Sequence, residues 1–333
     1  MAEHIVRIEA PARLHFGMLD LGGSLGRRFG GIGAGVFDPS LVIEVERAAG
    51  VEAEGAEANR AADFARRYLE SQGIRHGARI VIRHAIPEHV GLGSGTQLAL
   101  AVARGIAELY DRPTGAAALA TAVGRAQRSA IGTWLFEGGG FIVEGGRFQD
   151  GERVAPLLTR LPIPDSWRCV VALPWNVAGV SGESEVRAFR ELPAPPLREI
   201  ERVAHLLLMS LLPALVDGDL ETFGKAITTI QQINGGWFAP AQGGPFASGV
   251  STELIGKMRE WGAAGVGQSS WGPAVYAITE GEDSAAELAS RARMALNGSG
   301  MVYVNQFAHG GARVAHLDRA NSFYAVNNLP RHE

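Results

Sequence analysis

The sequence predicts an α+β protein of two lobes, and three observations carry that expectation. The chain is 333 residues long, more than one hydrophobic core ordinarily serves. Strand-period and helix-period segments are mixed without the strict alternation of a doubly wound sheet. A proline-rich break, ELPAPPLRE at 191–199, falls where a lobe boundary fits.

The elements follow in order. HIVRIEAPARLHFG, 4–17, has strand character, with Leu14 and Phe16 alternating around His15. LVIEVER, 41–47, sets Val42 and Glu44 on one face and Ile43 and Val45 on the other. In 57–72, Ala61, Phe64, Ala65, Tyr68 and Leu69 form one helical stripe, and Gly73 stops it. ARIVIRHAIP is a strand ending at Pro87, the apolar segment Gln97 to Tyr110 is a buried helix, and another helix is expected near 114–130. FIVEGGRF, 141–148, reads as a hairpin turning at Gly145–Gly146. PIPDSWRCVVALP, 162–174, brings another strand. Helices are expected at about 197–216, 219–233 and 252–262, then strands AVYAI and MVYVNQF around a helix near 283–296. QQINGGWFAPAQGG, 231–244, is a glycine-rich break after a helix and a candidate lid.

Composition narrows the function. A net charge of −4 with no basic stripe argues against a nucleic-acid partner. The single cysteine, Cys169, excludes an intrachain disulfide and sits in an apolar run as core filler. No stretch has the roughly 18 apolar residues of a membrane span, and the N-terminus lacks a signal-peptide core. A cytoplasmic location, no membrane partner and, from base rates, a homodimer are expected.

The informative stretch is PEHVGLGSGTQLALAVA, 87–103. Glycines at 91, 93 and 95 let the amides of Gly91, Leu92, Gly93, Ser94, Gly95 and Thr96 converge on one anion, with hydroxyls from Ser94 and Thr96. A helix buried to its first turn leaves N–H groups that a phosphate satisfies. An N-capping hydroxyl on a core helix explains the same spacing. No lysine follows the last glycine, so this is not a Walker loop, and the dinucleotide glycine spacing is missing.

This loop resembles the Pro-x3-Gly-Leu-Gly-Ser-Ser motif of the GHMP kinase superfamily. APARLHFGMLDLGGSLGRRFGGIGAGV, 10–36, resembles its N-terminal substrate motif, and GVGQSSWGPAVYAI, 265–278, its C-terminal glycine-rich loop between helix and strand. The resemblance covers nearly the whole chain in order. It implies a ribosomal protein S5-like N-terminal lobe, 1–160, with phosphate loop 87–97, and a ferredoxin-like C-terminal lobe, 161–333.

Two departures matter. The loop continues Ser94-Gly95-Thr96-Gln97, and RSAIGTWLFEGGGFIVEGG, 128–146, lacks the Asp of the family's Gly-x-Asp segment, Glu137 being the nearest carboxylate. A kinase uses such a carboxylate to orient its acceptor hydroxyl. Together with GVSGESE, 179–185, these segments resemble the β-ribofuranosylaminobenzene 5′-phosphate synthase branch. The resemblance implies condensation of 4-aminobenzoate with phosphoribosyl pyrophosphate, releasing carbon dioxide and pyrophosphate, on the route to methanopterin. An ATP-dependent small-molecule kinase and a non-catalytic ligand sensor are the competing readings. The common phosphoribosyltransferase signature is poorly matched by YAITEGEDSAAE, 276–287.

Such chemistry requires donors for a leaving diphosphate, a flat ring site and Mg²⁺ bridging phosphates. Asp20, Glu137 and Arg28 are the catalytic candidates, with Glu137 also a metal ligand. Arg13, Arg27 and residues Gly91 through Gln97 are candidates for the donor. His15, Gln268, Ser269, Ser270 and Trp271 are candidates for the rest of the substrate. Trp134, Phe136, Trp237 and Phe238 are further ring contacts, Glu183 and Glu185 further acids, and Asn234 and Gln242 further polar contacts. Each has a plainer alternative: solvated arginine, capping acid, core aromatic or structural histidine.

Overall fold

A computed structural model describes residues 4–112, 114–148, 151, 153–175, 177, 182–247 and 249–318. Its first sheet is organised by a long antiparallel ribbon of β1 (His4–Asp20) and β2 (Arg27–Ala48). β3 (Glu52–Glu54) and β4 (Gly77–His84) extend one side, and the late strand β12 (Arg313–Asp318) returns to pair with β1 on the other. Val6, Ile8, Leu14 and Phe16 of β1 and Ile43 and Val45 of β2 are almost completely buried.

Helices α1 (Ala58–Ser71) and α2 (Ser94–Leu109) cover this sheet. The predicted stripe of α1 is buried, and Gly73 ends the helix with φ +63°. In α2, Leu98, Leu100, Val102, Ile106 and Leu109 are buried, each worth about 1.5–3 kcal/mol. Gly105 lets the helix approach β2, because a Cβ there would lie 2.6 Å from Val45 Cγ2. This packing fixes where α2 begins, and therefore where its free amides point.

The second sheet contains β8 (Trp167–Pro174), β9 (Gly265–Gln268), β10 (Val275–Glu280) and β11 (Gly300–Gln306), in the order β11-β8-β10-β9 and wholly antiparallel. Helices lie between β8 and β9 and between β10 and β11: α5 (Gly182–Glu191), α6 (Leu197–Leu206), α7 (Leu212–Asp217), α8 (Leu220–Gln242), α9 (Val250–Glu260) and α10 (Glu282–Leu296). That order and connection make a split βαβ, the ferredoxin-like arrangement. One π-helical turn, Leu207–Leu211, joins α6 to α7.

Several expectations are corrected. The helix expected at 114–130 is α3 (Ala116–Ala122) alone; Gly124 at φ +70° and Ala126 at φ +59° end it, and α4 (Ile131–Gly138) follows. FIVEGGRF is not a hairpin. β5 (Phe141–Glu144) pairs with Gly31–Ala34 of β2, and β6 (Arg147–Phe148) with Arg27–Arg28 of the same strand. β7 (Leu157–Leu161), absent from the sequence reading, pairs with β5. QQINGGWFAPAQ is no lid but the last turns of α8. Gly235 lets the chain at Pro245 pack against this helix, since a Cβ on Gly235 would lie only 2.3 Å from Pro245 O. GVGQ is a strand, so the C-terminal glycine-rich loop joins two strands. The proline-rich stretch separates α5 from α6 rather than one sheet from the other.

Candidate functional site

Three distant segments meet at the start of α2. The Arg13 amide donates to Leu92 O at 2.9 Å. Ser269 Oγ donates to Gly91 O at 2.7 Å and accepts from the His15 amide at 3.0 Å, so one hydroxyl ties β1, the glycine loop and the 269–274 loop together. Ala274 N donates to Val90 O at 3.1 Å. The two loops touch backbone to backbone: a Cβ on Gly91 would lie 2.0 Å from Ser269 O. Only glycine tolerates that approach and the φ of +90° found there.

Gly93, at φ +74°, is the N-cap of α2, and no side chain caps the helix. Thr96 N and Gln97 N turn back to Gly93 O, at 3.0 and 3.1 Å. The Ser94 and Gly95 amides precede any intrahelical acceptor and stay open to a ligand. Gln97 is fully buried and donates to Gly132 O at 3.0 Å, locking the first turn of α2 against that of α4.

Guanidinium groups surround this helix start. Arg13 Nη1, Arg125 Nε and Arg128 Nη1 are enclosed and have no hydrogen-bond partner among the described residues. Arg125 Nη2 donates to Gly95 O at 2.9 Å, and Arg13 Nε lies 3.0 Å from where a Cβ on Gly93 would sit. Arg60 reaches over Gly95 and is held by Glu57 and by Glu88 at 2.8 Å. Burial lowers Arg13 to about 10, with Glu185 opposing. Burial, then the charges of Arg60, Arg67 and Arg128, lower Arg125 to about 10. Both shifts record burial first, and at Arg125 the crowding of like charge second; buried cations near one another favour an anion between them. Burial and a hydrogen bond with Glu88 raise Glu57 to about 7.

An aromatic cluster adjoins the arginines. The Trp271 ring packs 4.6 Å from Phe238 and 5.2 Å from Phe189, and the Arg128 guanidinium lies 5.1 Å over Phe189. Trp271 Nε1 is enclosed and unpartnered among the described residues. Beside it a cleft narrows to a cavity of about 30 Å³ touched by His15, Asn234, Phe238, Gln242, Gln268 and Ser270. His15 is buried; desolvation, then the charge of Arg13, lowers it to about 3, so its imidazole is neutral.

Of the sequence-predicted residues, Arg13, His15, Gly91 through Gln97 and Ser269, Ser270 and Trp271 gather here. Gln268 does too, but its amide is committed to the Ala247 amide, Ser270 O and Gln242. Asn234 is likewise bound to the Met18 backbone. Asp20, Arg27, Arg28 and Glu137 have other partners. Both Asp20 oxygens accept from Gly22, Gly23 and Ser24 and close the β1–β2 turn. Arg27 stacks on Phe148 and donates to Gly146 O; Arg28 donates to Leu21 O and reaches the aromatic cluster only through Phe29. Glu137, near the C-terminal end of α4 and about 9 Å along its axis from Ile131, faces Arg160 at 3.5 Å. Trp134, Phe136 and Trp237 pack in or against the core. The Glu183 side chain lies outside the described residues.

Sequence reasoning misses Arg60, Arg125, Arg128 and Phe189. The signal for Arg128 is its place at the head of RSAIGTW, but a helix drawn through 114–130 puts it and Arg125 on an outer face. No three Asp, Glu, His or Cys side chains gather as a metal site among the described residues.

The GHMP kinases N terminal domain model matches residues 57–134 and the GHMP kinases C terminal model residues 211–297. The chain is 37% identical to a beta-ribofuranosylphenol 5′-phosphate synthase of Methanothermobacter thermautotrophicus, over 82% of this chain and 88% of that protein. It is 34% identical to one of Archaeoglobus fulgidus, over 83% and 88%. The chain belongs to this synthase branch of the GHMP kinase superfamily.

Solved members of the superfamily share the fold. A homoserine kinase from Cytophaga hutchinsonii superposes with a TM-score of 0.65 at 18% identity, covering 93% of this chain and 97% of that one. A mevalonate diphosphate decarboxylase from Enterococcus faecalis does so at 0.65 and 14%, covering 95% and 100%. The two-lobed fold, S5-like then ferredoxin-like, is that of the superfamily, and the branch is one of enzymes. No helix among the described residues is long and apolar enough to cross a membrane.

Proposed function

We propose that the enzyme transfers the ribosyl 5-phosphate of phosphoribosyl pyrophosphate to 4-aminobenzoate, at the ring carbon bearing the carboxylate, with loss of carbon dioxide and diphosphate, as a step towards a methanopterin-type cofactor. The relatives' names specify a phenol product, so the para substituent, amine or hydroxyl, is the finer point of this reading. The observation that carries it is the set of three enclosed, unpartnered guanidinium nitrogens on Arg13, Arg125 and Arg128 around an uncapped helix start. An enclosed guanidinium nitrogen without an acceptor is costly even where, as in Arg125 and Arg128, another nitrogen of the same group is bonded, and a polyanionic donor removes that cost.

As the C1–oxygen bond breaks, its electron pair goes to the diphosphate. The Ser94 and Gly95 amides and the three arginines meet the developing charge, where removing one such donor costs about 2.7–4 kcal/mol of barrier. The ring carbon attacks the anomeric carbon, pushed by the para substituent. The bond to the carboxylate then breaks, and its electrons restore aromaticity as carbon dioxide leaves. Because carbon dioxide leaves from the carbon that is ribosylated, the ring gains or loses no net proton overall, which suits a neutral His15. Trp271, Phe238 and Phe189 hold the ring flat, and orientation supplies much of the rate.

Mg²⁺, when bound, would neutralise charge on the diphosphate. Glu185, paired with Arg128 at 2.8 Å and the carboxylate whose charge acts on Arg13, would hold it. The remaining ligands would be phosphate oxygens and water, the ion's usual coordination.

The test supplies carboxyl-labelled 4-aminobenzoate or 4-hydroxybenzoate with phosphoribosyl pyrophosphate and Mg²⁺. Labelled carbon dioxide and pyrophosphate should appear in equal amounts. Silence with both acceptors refutes the reading, and ADP formed from ATP and a sugar or hydroxy acid would install a kinase in its place.

A further inference from the structure

The amide side chains around the 30 Å³ cavity are already bonded within the protein. Gln231 Oε1 accepts from the Gln268 amide at 2.9 Å, and its Nε2 donates to Phe16 O at 2.6 Å. Asn234 and Gln268 are committed as described above. Three groups are not: the Ser270 hydroxyl, the enclosed Trp271 indole N–H, and the His15 imidazole, which is 6% exposed, has no ring hydrogen bond among the described residues and is the one ring nitrogen acceptor of the three. The lining carries no Asp, Glu, Lys or Arg.

Resting on the transferase reading above, we propose that this cavity receives the acceptor's para substituent and that His15 selects it, one ring nitrogen accepting its N–H or O–H. Size supports this, since such a space holds one or two water-sized groups, enough for an amine or a hydroxyl. Charge agrees with it: the lining itself carries no cation for a carboxylate, and Arg13, whose charge reaches His15, packs its guanidinium beside Gly93 of the donor loop. Connectivity supports it too. The His15 amide, Ser269 hydroxyl and Gly91 carbonyl form one chain of bonds of 3.0 and 2.7 Å, so a ring on Trp271 and Phe238 runs from the donor loop to the cavity.

The selection has a direction. Burial and the charge of Arg13 keep the imidazole unprotonated, with one acceptor and one donor nitrogen. So weak a base accepts a hydrogen bond but does not take a phenol's proton. An amine activates the ring without losing one, whereas a phenol activates it strongly only as phenolate. With no Lys or Arg lining the cavity to hold a phenolate, the site favours the amino acceptor.

Two measurements on the full chain test this. Calorimetry on the unaltered protein compares 4-aminobenzoate, benzoate and 4-(dimethylamino)benzoate. The dimethylamino compound keeps the electron push but loses both N–H donors and is bulkier at the para position. It should bind at least tenfold more weakly than 4-aminobenzoate, and equal affinity overturns the subsite. Kinetics then compare His15→Leu and His15→Gln, with melting and donor KM as fold controls. His15→Leu should raise the KM for 4-aminobenzoate at least tenfold at unchanged donor KM and flatten the preference for amine over hydroxyl. His15→Gln should restore part of it. An unchanged amine-to-hydroxyl ratio in His15→Leu overturns the role of His15 while leaving the transferase reading intact. Turnover of neither acceptor by the unaltered enzyme overturns both.

Discussion

Gly93→Val attacks the donor site where backbone and charge meet. Gly93 holds φ +74°, and a Cβ there would sit 3.0 Å from Arg13 Nε and 3.1 Å from Arg13 Cβ. A branched residue in the left-handed region costs about 1–3 kcal/mol. Total stability of a protein this size is about 5–15 kcal/mol, so the fold survives. Binding loses more in relative terms. The valine methyls displace the Arg13 guanidinium, whose contact with a phosphoryl oxygen is worth about 1.5–3 kcal/mol, and crowd the neighbouring amides. The expected loss is about 3–4 kcal/mol, two to three decades in Kd. Titration calorimetry with phosphoribosyl pyrophosphate and Mg²⁺ measures it, alongside a thermal melt. Gly93→Ala, with the same backbone conflict and less bulk, should fall between. A Gly93→Val protein that melts cooperatively and binds the donor as tightly as the parent would refute the cradle.

Further consequences follow from the same geometry. Arg128→Leu should lower kcat about 10²–10³-fold, the effect of losing one donor to a developing anion, with Arg128→Lys recovering part; rapid-quench kinetics give the value. Ser269→Ala leaves the His15 amide and Gly91 O without their shared hydroxyl and should cost about 1–3 kcal/mol in denaturant unfolding, with weaker donor binding as the loop loosens. Glu144, wholly buried and bonded to Gly146 N at 2.8 Å, is raised by burial to about 7. Between about 4.5 and 7 the unfolded chain has released this proton and the folded chain keeps it. Stability therefore falls as pH rises through that window, by on the order of 3 kcal/mol, and levels off above 7. Unfolding at pH 5, 6, 7 and 8 should show the fall, and Glu144→Gln should reduce it, with Glu57, also raised to about 7, keeping its own share; a profile unchanged by Glu144→Gln would contradict the assignment.

The chain's own pattern determined whatever depends on near neighbours. The α1 stripe, the alternation of β2, the apolar run of α2 and the glycines that free its first amides are all encoded within a few residues. The motif resemblance supplied the lobes and the branch. Tertiary structure alone decided the rest, because it depends on which distant surfaces meet. Two positive φ angles, at Gly124 and Ala126, turn what looks like helix into a loop that carries Arg125 to the Gly95 carbonyl. The long β2 strand takes both β5 and β6, so a sequence that reads as a hairpin lies along one partner. Asp20 looks catalytic amid its glycines, yet the same glycines offer the amides that occupy it. A guanidinium on a long flexible tether finds its partner by proximity in space, and no local periodicity records that.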